Sequence, residues 1–166
     1  MIKFRNHKRE DIQYRVQWLN NPKANIFIGE KNSKTTRTKQ SKWFDDYEKN
    51  KNKKFFTICD ENKPIGFMGL SHIDKVSKKA EVFIIIGDDN YRGKGYGKKS
   101  LKYLINYGFN MLRLEKIYLG VYEKNKSAIF SYKSVGFKVE GIFKKDTFLN
   151  GKYYNLVMMA IFKDSR

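Results

Sequence analysis

Residues 80–109 read AEVFIIIGDDNYRGKGYGKKSLKYLINYGF, and this stretch decides the fold. Its opening, Ala80 to Ile86, carries a run rich in β-branched residues ended by Gly87, the pattern of a strand buried on both faces at the centre of a sheet. Leu101, Leu104, Ile105, Phe109 and Leu112 then fall on one helical face, which predicts a long helix packed on that sheet. Between strand and helix lies Arg92-Gly93-Lys94-Gly95-Tyr96-Gly97. Glycines let the chain turn tightly and approach a ligand, the first amides of a helix have no internal partner, and the helix dipole favours negative charge there. A pyrophosphate fits that description. The spacing matches neither a dinucleotide fingerprint nor a P-loop; a plain glycine-rich turn is the competing reading.

Working outward, Ile2 to Phe4 reads as a strand and Arg9 to Leu19 as a helix stopped by Asn20-Asn21-Pro22. A Lys-, Ser- and Thr-rich loop, Ile26 to Thr38, precedes a second helix over Gln40 to Lys49. Phe55–Cys59 and Ile65–Ile73 flank a turn-rich connector and form a hairpin. Downstream, Lys116 to Val121 reads as a strand and Asn125 to Val135 as a shorter helix with Gly136 beyond its end. Asn150-Gly151 marks a terminal hairpin between Phe137–Lys145 and Tyr153–Phe162. The order predicts a single α/β (α+β) domain over residues 1–166, with a mixed sheet of about seven strands and helices on both faces.

Composition narrows the function. The 166 residues are 40% hydrophobic and 16% aromatic, enough for a folded core. No apolar run reaches the roughly 18–20 residues of a membrane span, and the N-terminus is not of signal-peptide type, so a cytoplasmic protein is expected. The lone Cys59 allows neither an internal disulfide nor a cysteine-based zinc site, and no metal is expected. Thirty-five Lys and Arg against seventeen Asp and Glu leave a net charge of +18, but only seven are Arg and no nucleic-acid motif appears. Nucleic acid is therefore not expected as a partner.

Arg-x-x-Gly-x-Gly, placed after a strand and before a helix, resembles the acetyl-CoA loop of the GNAT N-acetyltransferase superfamily. Asn125-Lys126-Ser127-Ala128-Ile129-Phe130-Ser131-Tyr132-Lys133-Ser134-Val135-Gly136-Phe137, continued by Glu140-Gly141, is similar to that superfamily's Asn-x-x-Ala-Ile-x-x-Tyr-x-x-x-Gly-Phe segment. Trp18-Leu19-Asn20-Asn21-Pro22 and Phe148-Leu149-Asn150-Gly151-Lys152-Tyr153 resemble the branch containing ribosomal-protein N-terminal and spermidine acetyltransferases. The resemblance implies acetyl-CoA as cosubstrate. Backbone amides from Arg92 through Gly93, Lys94, Gly95, Tyr96 and Gly97 to Lys98 would hold its pyrophosphate, and Ile84, Ile85 and Ile86 would run beside its pantetheine arm. Asn125 would bond that arm, and Tyr132 would return a proton to the departing thiolate. From the residues alone, Asn125 reads also as a helix N-cap and Tyr132 as a core aromatic.

An attacking amine must first lose a proton, and Glu81 and His72 are the candidate bases, on neighbouring strands; Asp74 and Glu30 are weaker ones. Trp18, Trp43 and Phe44 read as core and loop anchors rather than a substrate box. The Lys-dominated segment Ile26 to Lys54 disfavours a polycation such as spermidine or an aminoglycoside. The expected acceptor is a nucleotide-linked amino sugar or a protein N-terminal amine, with polyamine or aminoglycoside acetylation as the alternative. A CoA-binding regulatory module or a basic nucleic-acid-binding protein is the non-enzymatic alternative, and a homodimer is compatible with either.

Overall fold

The computed structural model describes residues 1–25, 34–149 and 151–165; Glu30, the first part of the Lys-rich loop and Asn150 lie outside them. One sheet contains β1 (Ile2–Asn6), β2 (Lys54–Asp60), β3 (Lys63–Asp74), β4 (Lys79–Ile86), β5 (Lys116–Tyr122), β6 (Lys138–Leu149) and β7 (Lys152–Phe162). Their spatial order is β1-β2-β3-β4-β5-β7-β6. Every neighbouring pair is antiparallel except β4 with β5. The AEVFIII strand is thus central, with three strands on either side.

Successive strand residues face opposite sides and feed two cores. On one side Phe56, Met68 and Val82 pack with Leu101, Leu104 and Phe109, beneath α4 (Tyr96–Asn106) and α5 (Lys126–Lys133). On the other, Phe67 and Ile85 pack with Trp18 of α1 (Ile12–Leu19), beside the short α2 (Pro22–Asn25) and α3 (Arg37–Lys49). Trp18 lies directly over Gly87, where an added Cβ would sit 2.0 Å from the indole ring. Only a glycine lets this helix close on the end of the central strand. No helix among the described residues is long and apolar enough to cross a membrane.

Several boundaries differ from the sequence reading, each for a local reason. The helix expected from Arg9 starts with a 3-10 turn, Arg9–Asp11, because the Asp11 carboxylate reaches back to accept the Lys8 N–H at 2.9 Å. The second helix begins at Arg37, capped by Thr36 Oγ1 accepting from Lys39 N. Pro22 opens α2 rather than only ending α1, with Asn21 Oδ1 accepting from Lys23 N. The long helix widens into a π-helical turn at Tyr107–Met111, and the helix after Asn125 ends at Lys133. Finally, β4 is not buried on both faces throughout: Ala80, Val82 and Ile85 are buried, whereas Phe83, Ile84 and Ile86 are half-buried.

A buried polar network ties β1, β2 and the start of α1 together. Asp11, 1% exposed, accepts two bonds from Arg5 at 2.6 and 2.7 Å and one from Thr57 Oγ1 at 2.7 Å. That hydroxyl, having donated its proton, accepts from His7 Nδ1 at 2.8 Å, so the neutral imidazole carries its proton on Nδ1. Burial pushes the Asp11 carboxyl up, but the bonds from Arg5, Lys8 and Thr57 outweigh it and hold the group below its usual range. Burial, reinforced by the Arg15 and Arg5 charges against Asp11, pulls His7 from 6.5 down to about 4.

Between pH 6.5 and 4 the unfolded chain takes up a proton on His7 that the folded chain refuses, so stability falls as pH drops through that window. The loss reaches roughly 3 kcal/mol at its lower end, at about 1.36 kcal/mol per pKa unit, while the Asp11 contribution is lost only at still lower pH. Denaturant midpoints should decline across the window in the wild type and change much less in His7→Gln. An identical decline in both would assign the acid sensitivity to other groups.

Candidate active site

The parallel pairing of β4 with β5 covers only Lys79–Glu81 against Lys116–Tyr118. Beyond Glu81, β4 stays with β3 as far as Ile86, while β5 follows β7 as far as Tyr122. The two central strands therefore part, and the β5-facing edge of residues 82–86 has no strand partner among the described residues. The opening is a cleft of about 1150 Å³ that runs through the sheet. Ile84, Ile86 and Leu101 line it on the α4 side, and Phe67, Phe83 and Ile85 on the α1 side. The half-buried Ile84 and Ile86 are explained by this gap.

At the outer end of β4 the glycine loop turns into α4. Gly93 has φ +72° and Gly95 φ +82°, left-handed conformations that favour glycine. A Cβ added at Gly93, Gly95 or Gly97 would meet nothing within 4 Å, so the loop borders open space. The first bond of α4 runs from Lys99 N to Gly95 O at 3.1 Å, which leaves the amides of Tyr96, Gly97 and Lys98 without a partner inside the helix. Glycine conformation, open space and helix amides together suit a diphosphate. Arg92 departs from the sequence reading: its amide donates to Asp89 O at 3.3 Å. Its side chain donates to Ile86 O at 3.0 Å and pairs with Asp89. Arg92 fastens the loop to the strand, and the available amides begin after it. Lys94 and Lys98 are exposed cations on this loop, and the Tyr96 ring packs against Tyr91.

Asn125 and Tyr132 both line the cleft from α5. Asn125 Oδ1 accepts from Ala128 N at 3.1 Å, so it is the helix N-cap. Tyr132 packs edge-on against Phe137, and burial raises its hydroxyl to about 12. It keeps its proton throughout the range in which amines attack. Across the cleft, Glu81 Oε2 and His72 Nδ1 are 2.9 Å apart. The structure thus joins these two candidates, though Glu81 borders the cleft while His72 is largely exposed beside it. Asp74 is remote, held in its own turn by the amides of Val76 and Ser77.

Trp18 and Phe44 are core residues, 4% and 3% exposed, as their pattern predicts. Trp43 is not: it lines the cleft in a ring stack with Tyr47 and Phe55. Arg15, which the sequence reading passed over, also lines it, with its guanidinium over the Trp43 ring. One signal for Arg15 was available, a cation on the helical face next to Trp18, but it was indistinguishable from a solvated position.

The sequence profile of the acetyltransferase (GNAT) domain matches residues 2–138. The spermidine N(1)-acetyltransferase of Escherichia coli K12 is 33% identical over 162 residues, covering 98% of this chain and 86% of the relative. That of Vibrio cholerae is 35% identical over 107 residues, 64% of this chain and 61% of the relative. The crystal structure of spermidine N-acetyltransferase from Vibrio cholerae in complex with CoA and spermine has a TM-score of 0.92 at 26% identity, covering 99% of this chain and 96% of that one.

The loop geometry makes a direct prediction. Gly95→Val places a β-branched residue at φ +82°, a conformation costing about 1–2 kcal/mol, and pushes methyl groups over the amides. CoA affinity, measured by calorimetry on the folded variant, should fall about tenfold or more. Undiminished affinity would remove the loop from the CoA site.

Proposed function

The chain belongs to the GNAT acetyltransferase family, and from that premise we propose that it transfers an acetyl group from acetyl-CoA to a primary amine by direct attack. The observation that carries the reading is the parting of β4 from β5 beside the glycine loop. Acetyl-CoA supplies an activated thioester. The chain's part is to place it, to keep water away and to manage two protons.

The amides from Gly93 to Lys98 hold the diphosphate, and the free edge of Ile84, Ile85 and Ile86 takes the arm as a strand takes a neighbour. An N–H on that edge, aimed at the thioester oxygen, stabilises the charge developing there. Asn125 lies beside the arm, although its oxygen is committed to the helix cap, so its amide nitrogen is the group that can serve the ligand. Glu81, with His72 behind it, accepts the proton of the incoming ammonium, directly or through water. Tyr132, whose burial keeps it protonated, donates to the departing thiolate.

Two acceptor classes follow from different observations. Kinship over nearly the whole chain supports a polyamine, the substrate named for the Escherichia coli relative. The buried cation Arg15 in the cleft lining favours an amine that carries its own negative charge, the class to which a nucleotide-linked amino sugar belongs.

Removing only the Tyr132 hydroxyl separates chemistry from binding. Tyr132→Phe should lower kcat by roughly 100-fold, the lower end of general acid–base contributions, with CoA affinity retained. Wild-type turnover, with chemistry rate-limiting, would give the proton to another donor. Glu81→Gln should lower kcat/KM for every amine, most steeply at the pH where the acceptor is still protonated. A pH–rate profile unchanged from wild type would exclude Glu81 as the proton acceptor.

A further inference from the structure

Of the described charged side chains that line the cleft, Arg15 and Lys23 have no part in acetyl transfer, and Lys23 is exposed whereas Arg15 is buried. Arg15 of α1 is 6% exposed, and its guanidinium carbon lies 3.7 Å from the Trp43 ring centroid and 4.2 Å from that of Phe67. Its Nε donates to Gln40 Oε1 at 2.9 Å. The orientation of Gln40 is fixed in turn, because its amide donates to Thr35 Oγ1 at 2.9 Å. Asn20 brackets the main chain of Thr35 at 3.0 and 2.9 Å. Among the described residues the guanidinium is held by two rings and one hydrogen bond, with its Nη1 left without a partner.

No described carboxylate forms an ion pair with it. Asp11, the buried acid of the same helix start, is committed to Arg5, Thr57 and the Lys8 amide. A buried cation so placed has donors only, in a planar array that matches carboxylate and phosphate oxygens. The held plane also loses little freedom when such a group arrives. A polyamine offers the opposite chemistry: it has no oxygen, it brings like charge, and the Trp43 and Phe67 faces that could carry an ammonium are already occupied by Arg15. Glu81, lining the same cleft, complements the amine end of the acceptor.

We propose that Arg15 is an acceptor-binding residue that selects small-molecule amines bearing an anionic oxygen, carboxylate or phosphate, and holds that oxygen while the amine attacks. This rests on the second acceptor reading above.

The test is an acceptor panel at saturating acetyl-CoA, followed by thiol release. It pairs an amino acid with its uncharged amide and a nucleotide-linked amino sugar with the free amino sugar, and adds spermidine and an amidated peptide. Wild type should prefer the anionic member of at least one pair over its uncharged analogue and over spermidine, by about tenfold or more in kcat/KM. Which pair responds distinguishes carboxylate from phosphate. Arg15→Met should erase the preference, chiefly through KM, while calorimetric CoA affinity is retained, and Arg15→Lys should restore part of it. The wild-type ratios stand without any variant, should Arg15→Met fail to fold. Preference for spermidine, the peptide or the uncharged analogues, or an anion preference that survives in folded Arg15→Met, overturns the inference and leaves acetyl transfer intact. Thiol release with none of the amines, despite CoA binding, overturns the acetyl-transfer reading and this inference with it.

Discussion

A parallel pair that stops after three residues, Lys79–Glu81 with Lys116–Tyr118, governs the rest of the molecule. A sheet that splits in its middle loses ladder bonds on both inner edges, and such groups are costly to bury unless water or a ligand meets them. The remainder of the chain keeps the split open. Antiparallel partners hold each half, β3 alongside β4 and β7 alongside β5. Arg92 closes the outer end of β4 by taking the Ile86 carbonyl. The open edge is therefore built in, and it faces a glycine loop on one helix and a half-buried tyrosine on another.

The acceptor side depends on a different kind of support. α1 is short, eight residues, and could not hold position by propensity alone. Trp18 packs over Gly87 and stacks with Phe67 and Tyr14, and the Arg5–Asp11–Thr57–His7 network locks the start of the helix to β1 and β2. Asp11 is buried while the Arg5 side chain is 36% exposed, so solvent weakens the ion pair itself; what fixes the helix start is the full set of bonds on the Asp11 carboxylate, from Arg5, Thr57 and the Lys8 amide. Arg15, one turn further on, inherits that position.

Much of this was legible in the sequence, for physical reasons that can be named. The central strand, the glycine loop and the segment from Asn125 to Phe137 each combine a local rule with a fixed neighbour, so pattern and place agree. His72 and Glu81 were legible as neighbours because a hairpin sets its own register: Ser71 pairs with Glu81, and a bulge with His72 at φ +49° turns the ring toward the carboxylate. The split itself was not legible, since AEVFIII reads the same whether its last residues are paired or open. Nor was the division of labour inside the loop, where Arg92 proved a fastener and the amides after it the open donors.

The acceptor shows where summed composition stops being informative. A net charge of +18 describes a field that salt screens over about 8 Å at physiological ionic strength, and surface lysines contribute little inside a cleft walled by Trp43, Phe55, Phe67 and Phe83. What an incoming amine meets there is set at short range by the side chains that line the cleft, among them Glu81 and the buried Arg15. Kinship and charge point to different acceptors because they speak to different scales. Relatives share the frame that binds the acyl donor, whereas acceptor choice rests on a few side chains that can change while the frame stays. A guanidinium clamped between two rings and tied by Gln40 is such a group, and its Nη1, without a partner among the described residues, bears more directly on acceptor choice than the sum of the surface lysines.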